Sequence, residues 1–170
     1  MVKSSEPGGS FVTARNARQE TGMPVEKLPT DGDWPSLRWD TRFATGHPGI
    51  DTEHQRLVRL LEKLCEIERG TAAIERLPQV LVELQRYTRY HFAHEAQLMA
   101  EHAIPAAHVQ SHLAAHALFI DHLAEATRQS ARDAHAVSGD LLRFLGRWLV
   151  AHILDTDRAL VRELRHARKR

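Results

Sequence analysis

One cysteine, Cys65, is all that the 170 residues contain, so no intrachain disulfide can staple the chain. A reducing, cytoplasmic setting is the expectation. No apolar run approaches the roughly 20 residues that span a bilayer as a helix, and no membrane partner is expected. The N-terminus, MVKSSEPGGSFVTARNARQETG, lacks the continuous apolar core of a secretory leader. Charge of one sign is scarce as well. The formal net charge is +1 with 26% of residues charged, so no global field favours nucleic acid or a membrane surface. The basic stretch Arg162–Arg170 is short and reads as a solvated helix end. From Leu37 onward nothing shows the two-residue alternation of a strand.

Histidine is what the chain has in excess: 12 of the 170 residues. Residues 1–36 are polar, rich in Gly, Ser, Pro and charge, and read as a flexible N-terminal extension. Residues 37–170 carry apolar side chains at three- and four-residue spacing, which predicts one all-α domain. Four long helices are expected. The first opens with Asp51 as N-cap and stops at Gly70. The second runs from Pro78 to about His102, ahead of Ile104-Pro105, and the third from about Ala106 to Ala131. The fourth starts near Ser138-Gly139-Asp140 and passes Leu154, with residues 157–166 as an extension or a separate short helix. Connections this short make an antiparallel up-down-up-down four-helix bundle the simplest packing.

Certain histidines and carboxylates fall on the apolar faces of these helices. His54 shares a face with Leu57, Val58, Leu61 and Cys65; His91 and Glu95, four residues apart, run on into Leu98 and Met99. His112 and His116 repeat the four-residue spacing and lead to Phe119 and Ile120. His152 continues the line of Leu145, Trp148 and Leu149. Asp157 follows five residues later, off that face of a regular helix, so the helix is expected to end or distort there.

Buried imidazoles and carboxylates are costly unless paired, and a metal satisfies several together. Two octahedral ions present about twelve positions, of which five histidines, two bridging carboxylates and a solvent-derived bridge take about eleven. One position stays open for a small ligand such as dioxygen. The Glu-x-x-His motifs of ferritin-like di-iron proteins are absent, and a histidine-rich, carboxylate-poor set disfavours the high-valent iron that oxygenases need. Reversible binding is expected over oxygen activation.

The motifs W-x6-G-x4-D-x2-H (Trp39, Gly46, Asp51, His54), Y-T-x2-H-F-x2-E-x3-M (Tyr87 to Met99), H-x3-H-x2-F (His112, His116, Phe119) and W-x3-H-I-x3-D (Trp148, His152, Ile153, Asp157) stand in this order. Together the chain resembles the hemerythrin family, in particular its bacterial members, from about Trp39 to Asp157. The resemblance implies an oxo- or hydroxo-bridged pair of iron ions. His112, His116 and His152 would hold one, His54 and His91 the other, and Glu95 and Asp157 would bridge them. Dioxygen is the implied ligand, at the two-histidine iron, with Leu57, Leu61, Trp148 and Ile153 as candidate pocket walls.

Two positions depart from the family pattern: Ala96 stands where a glutamate often follows the bridging Glu, and the stretch from Pro105 to His112 is about two residues longer. The second opens a rival register, His108/His112, which would put Ala115 where the family has Phe119. The expected function is a dioxygen carrier, store or delivery protein. The alternatives are an oxygen or redox sensor that signals through a protein partner, and a di-iron peroxidase or nitric-oxide-handling enzyme. Catalysis ranks lower because no core carboxylate or other acid–base group is expected beyond those seven residues. The remaining histidines (His47, His94, His102, His108, His122, His135 and His166) are read as solvent-facing, Cys65 as a core filler, and Trp34 and Trp39 as anchors on the bundle.

Overall fold

The computed structural model describes residues 38–137 and 139–168; the expected extension over residues 1–36, with Trp34, lies outside the described residues. The helices are α1 (Pro48–Glu68), α2 (Leu77–Glu101), α3 (Ala106–Arg132), α4 (Gly139–Ala151) and α5 (Arg158–Ala167), with a π-helical segment at His152–Asp157. No strand occurs among the described residues. Backbone at Ala151, Asp157 and Arg158 remains right-handed helical, so α4, the π segment and α5 are one run, and the stretch after Asp157 extends the fourth helix. α1 packs on α2, α2 on α3, α3 on α4 and α4 on α1, which closes a four-helix bundle.

The start of α1 differs from the sequence expectation. His47, not Asp51, is the N-cap: its Nδ1 accepts from the Ile50 N–H at 3.3 Å, and Pro48 occupies the first helical position, where its missing donor costs nothing. Asp51 lies inside the helix and reaches back to the preceding loop. It accepts from Thr45 N–H and Oγ1, both at 2.7 Å, and from Gly46 N–H at 3.0 Å. Upstream, Trp39 stacks on Phe43 with centroids 5.8 Å apart and leans on the core, as expected of an anchor.

α1 ends at Gly70, whose φ of +71° is left-handed, while a Cβ there would meet nothing. Backbone conformation, not space, is what glycine serves at this point. α2 ends in the same way without a glycine. Ala103 has φ +49°, Ile104 N–H donates to Met99 O at 3.1 Å, and Pro105 blocks continuation.

The apolar interior is in two parts. The larger includes Leu57, Leu61, Leu81, Leu84, Phe119, Leu123, Leu145 and Leu149, and the smaller Ile50, Leu98, Met99, Ile104, Leu160, Val161 and Leu164. Along each helix the histidines and carboxylates fall between residues of these two clusters. His54 lies between Ile50 and Leu57, and Glu95 between Phe92 and Leu98. His152 and Asp157 occupy the same interval between Leu149 and Leu160. The polar layer is therefore closed off from water at both ends.

Candidate metal centre

The seven expected residues meet in that layer. His54, His91, Glu95 and Asp157 are each 0% exposed, and His112, His116 and His152 between 1% and 4%. Their ligand atoms form two groups, each gathered within 4.8 Å: Glu95, His112, His116, His152 and Asp157 in one, and His54, His91, Glu95 and Asp157 in the other. The two carboxylates belong to both.

Distances within the layer are short. His54 Nε2 lies 3.0 Å from Asp157 Oδ2, and His152 Nε2 3.1 Å from Asp157 Oδ1. His112 and His116 bring Nε2 to 3.2 and 3.3 Å from Glu95 Oε2, while His91 Nε2 stands 3.7 Å from the same oxygen. His116 and His152 face each other Nε2 to Nε2 at 2.9 Å. In every histidine the same ring nitrogen turns inward, as ligands to a common centre require.

The π segment brings Asp157 to this point. Five residues of α-helix would carry it about 140° from the face of His152, whereas the wider π turn aligns residues five apart. The expected distortion is thus present, and it spans the interval between the two ligands. In α3, His112 and His116 enter the donor group and His108 does not. His108 is half-buried, its ring 5.7 Å from that of His112.

The layer is short of hydrogen bonds. His54 Nε2, His91 Nε2, Glu95 Oε1 and both Asp157 oxygens are buried without one. Each such orphan costs about 1–3 kcal/mol, and a cation among them would satisfy all of them. Burial also drives three of the imidazoles toward the neutral, metal-binding form. His112 is lowered to about 3, first by burial and then by the charge of His152; His91 and His116 are lowered for the same leading reason. Burial and the neighbouring Asp157 raise Glu95 well above the usual carboxylate range. Asp157 moves the other way. Burial pushes it up, but the charge of His152 and the close approach of both His152 and His54 hold it well below. Neutral imidazoles and oxygen donors form a set suited to iron in N/O surroundings.

Aromatic rings back the three-histidine side. Phe92 stacks on His116 with centroids 3.6 Å apart, and Trp148 on His152 at 4.5 Å. Leu57, Leu61 and Ile153 are fully buried.

Sequence reasoning missed Glu53. It is 6% exposed, with Oε2 2.8 Å from His91 Nδ1 and Oε1 2.8 Å from His94 Nδ1. The expectation that no further core carboxylate remains is therefore corrected. The signal was present, because Glu53, Leu57, Leu60 and Leu64 follow helical spacing on one stripe. Several histidines read as solvent-facing are also corrected. His47 caps α1, His94 holds Glu53, and Nδ1 of His102 and of His122 lies 3.0 and 3.1 Å from the carbonyl of Leu98 and of Leu118. His135 and His166 are exposed as expected. Cys65 is buried at 1% exposure, as a core filler should be.

The profile of the hemerythrin HHE cation binding domain matches residues 45–164. The chain is 33% identical over 133 residues to a bacteriohemerythrin of Pseudomonas aeruginosa (strain LESB58), a match that covers 77% of this chain and 83% of the relative. A bacteriohemerythrin of Stenotrophomonas maltophilia (strain R551-3) is 31% identical over 123 residues, covering 72% and 78%. One of Clostridium acetobutylicum is 25% identical over 127 residues, covering 72% and 97%. This chain belongs to the hemerythrin family, and its buried His/Glu/Asp cluster is a metal-binding site of the non-haem iron kind. No helix among the described residues is long and apolar enough to cross a membrane.

Proposed function

We propose that this protein holds a pair of iron ions and uses them to bind dioxygen reversibly, as a carrier, store or delivery module. The observation that carries this reading is the pair of overlapping donor groups, one of five residues and one of four, with Glu95 and Asp157 common to both. His112, His116 and His152 would hold one ion, His54 and His91 the other, and Glu95 and Asp157 would serve both. An octahedral ion takes about six ligands, so with one solvent-derived ligand shared between the ions the five-residue group would be complete and the four-residue group would be one ligand short. A position left free in this way would admit dioxygen, and the irons, when bound, would supply the electrons for its reversible binding.

The chain's own part is to keep the position dry and specific. Leu57, Leu61 and Ile153 exclude water from the layer, while Phe92 stacked on His116, and Trp148 stacked on both His152 and Phe119, hold the two imidazoles in place. Exclusion of water would protect the bound state.

The test is anaerobic loading with iron(II), iron counting per chain, and the absorption spectrum on admitting air. Two ions per chain and a visible band that appears in air and fades on deoxygenation, over several cycles, is the expected result. Irreversible bleaching within one cycle overturns it. Glu53 favours a second reading, because it is a core carboxylate beside the centre. Turnover with peroxide or nitric oxide that disappears in His54→Ala would establish an enzyme in place of a carrier.

A further inference from the structure

The two oxygens of the Glu53 carboxylate are each engaged by a different ring. Oε2 lies 2.8 Å from Nδ1 of fully buried His91, and Oε1 lies 2.8 Å from Nδ1 of His94, whose side chain is 30% exposed. A carboxylate accepts hydrogen bonds and donates none. Both contacts are therefore made by an Nδ1–H, and a neutral ring with its proton on Nδ1 carries its lone pair on Nε2. In His91 that Nε2 is the atom turned toward Glu95, and it is buried without a hydrogen bond.

We propose that Glu53 is a positioning residue for the metal centre, acting as a two-armed clamp. One arm fixes His91 as the Nδ1–H tautomer with Nε2 aimed at the centre, and the other is anchored by His94 at the surface. The inference rests on His91 being a ligand, as argued above. It adds a residue from α1 and one from the outer side of α2 that belong to neither donor group.

The requirement for a carboxylate follows from the count of partners. An amide has one accepting oxygen and one donating NH2 group. A glutamine at position 53 can accept from only one of the two rings, and the other ring must turn a lone pair toward the amide. Burial sharpens this, since a carboxylate 6% exposed is tolerable only when its oxygens are satisfied. His94 thus keeps the second oxygen from pulling Glu53 away from His91. Partners that orient metal-ligating histidines typically account for about 10–100-fold in metal affinity.

The experiment uses the full chain, iron-free and under anaerobic iron(II) titration. Long-range 1H–15N correlation spectra of the iron-free protein are expected to show His91 and His94 with the proton on Nδ1. In Glu53→Gln at least one of the two shifts to the Nε2–H form, His91 loses its charged partner in either orientation, and the iron(II) dissociation constant rises about 10–100-fold. His94→Ala weakens iron binding by a smaller factor, and His94→Asn, whose side-chain NH2 falls where Nδ1 was, restores it. Helical circular dichroism of each variant checks that the bundle persists. His91 found with its proton on Nε2 in the unmodified protein overturns the clamp, and so does wild-type iron affinity in Glu53→Gln. An unmodified protein that takes up no iron overturns the function proposed above, while the tautomer spectra still decide whether Glu53 holds His91.

Discussion

His152 Nε2 lies 3.1 Å from Asp157 Oδ1, across five residues that the π segment winds into about one turn. Asp157 is also 3.0 Å from His54 on α1, so a single carboxylate at a helical irregularity ties the fourth helix to the first and joins both donor groups. Asp157→Asn is expected to cut bound iron by half or more, measured as iron per chain after anaerobic loading. Asp155→Asn, on an exposed position of the same segment, should leave the iron content unchanged.

The two registers of α3 separate by mutation. His116→Ala removes a donor whose Nε2 lies 3.3 Å from Glu95 and should lower iron content. His108→Ala should retain full iron, because His108 belongs to neither group. The opposite outcome would restore the rival His108/His112 register.

Helix ends give a pair of stability tests with opposite signs. Ala103 holds φ +49° at the end of α2, a conformation that costs a residue with a Cβ about 1–2 kcal/mol. Part of that is offset by the greater unfolded-state freedom of glycine, so Ala103→Gly should stabilise by about 0.5–1 kcal/mol. Gly70→Ala, at φ +71°, should destabilise by about 1 kcal/mol. Denaturant midpoints of the two variants check both.

Burial pushes the Cys65 thiol up to about 12, against an ordinary value near 9. The thiolate is the reactive form, so the folded protein should not react with a disulfide reagent at pH 8, whereas the unfolded chain reacts fully. The sign for stability follows: the unfolded thiol ionises first, so raising the pH above about 9 favours the unfolded state. Rapid labelling of the native protein at pH 8 would contradict the burial.

Iron removal should lower stability. Binding to the folded state adds RT ln(1 + [L]/Kd), about 4 kcal/mol when free iron is a thousand times its dissociation constant. Chelation is expected to bring the melting temperature down, followed by calorimetry at matched pH.

The sequence by itself determined the helices and the inward set of donors. Apolar spacing of 3.6 residues is a property of single segments, and His54, His91, Glu95, His112, His116 and His152 could be placed on core faces because they fall in register with Leu57, Leu98, Met99, Phe119 and Leu149. It also flagged Asp157 as incompatible with a regular helix, since five residues do not return to the same face. Tertiary structure alone decided three things. The irregularity is a π segment between the two ligands, whereas the spacing alone allowed either an end or a distortion of the helix. Glu53 lies on a core stripe legible in the sequence, but its pairing is not legible there: His91 and His94 arrive from α2 to take its oxygens, a meeting between helices that no local pattern encodes. The distances that join seven side chains into two overlapping groups arise in the same way, from the closing of four helices on one another.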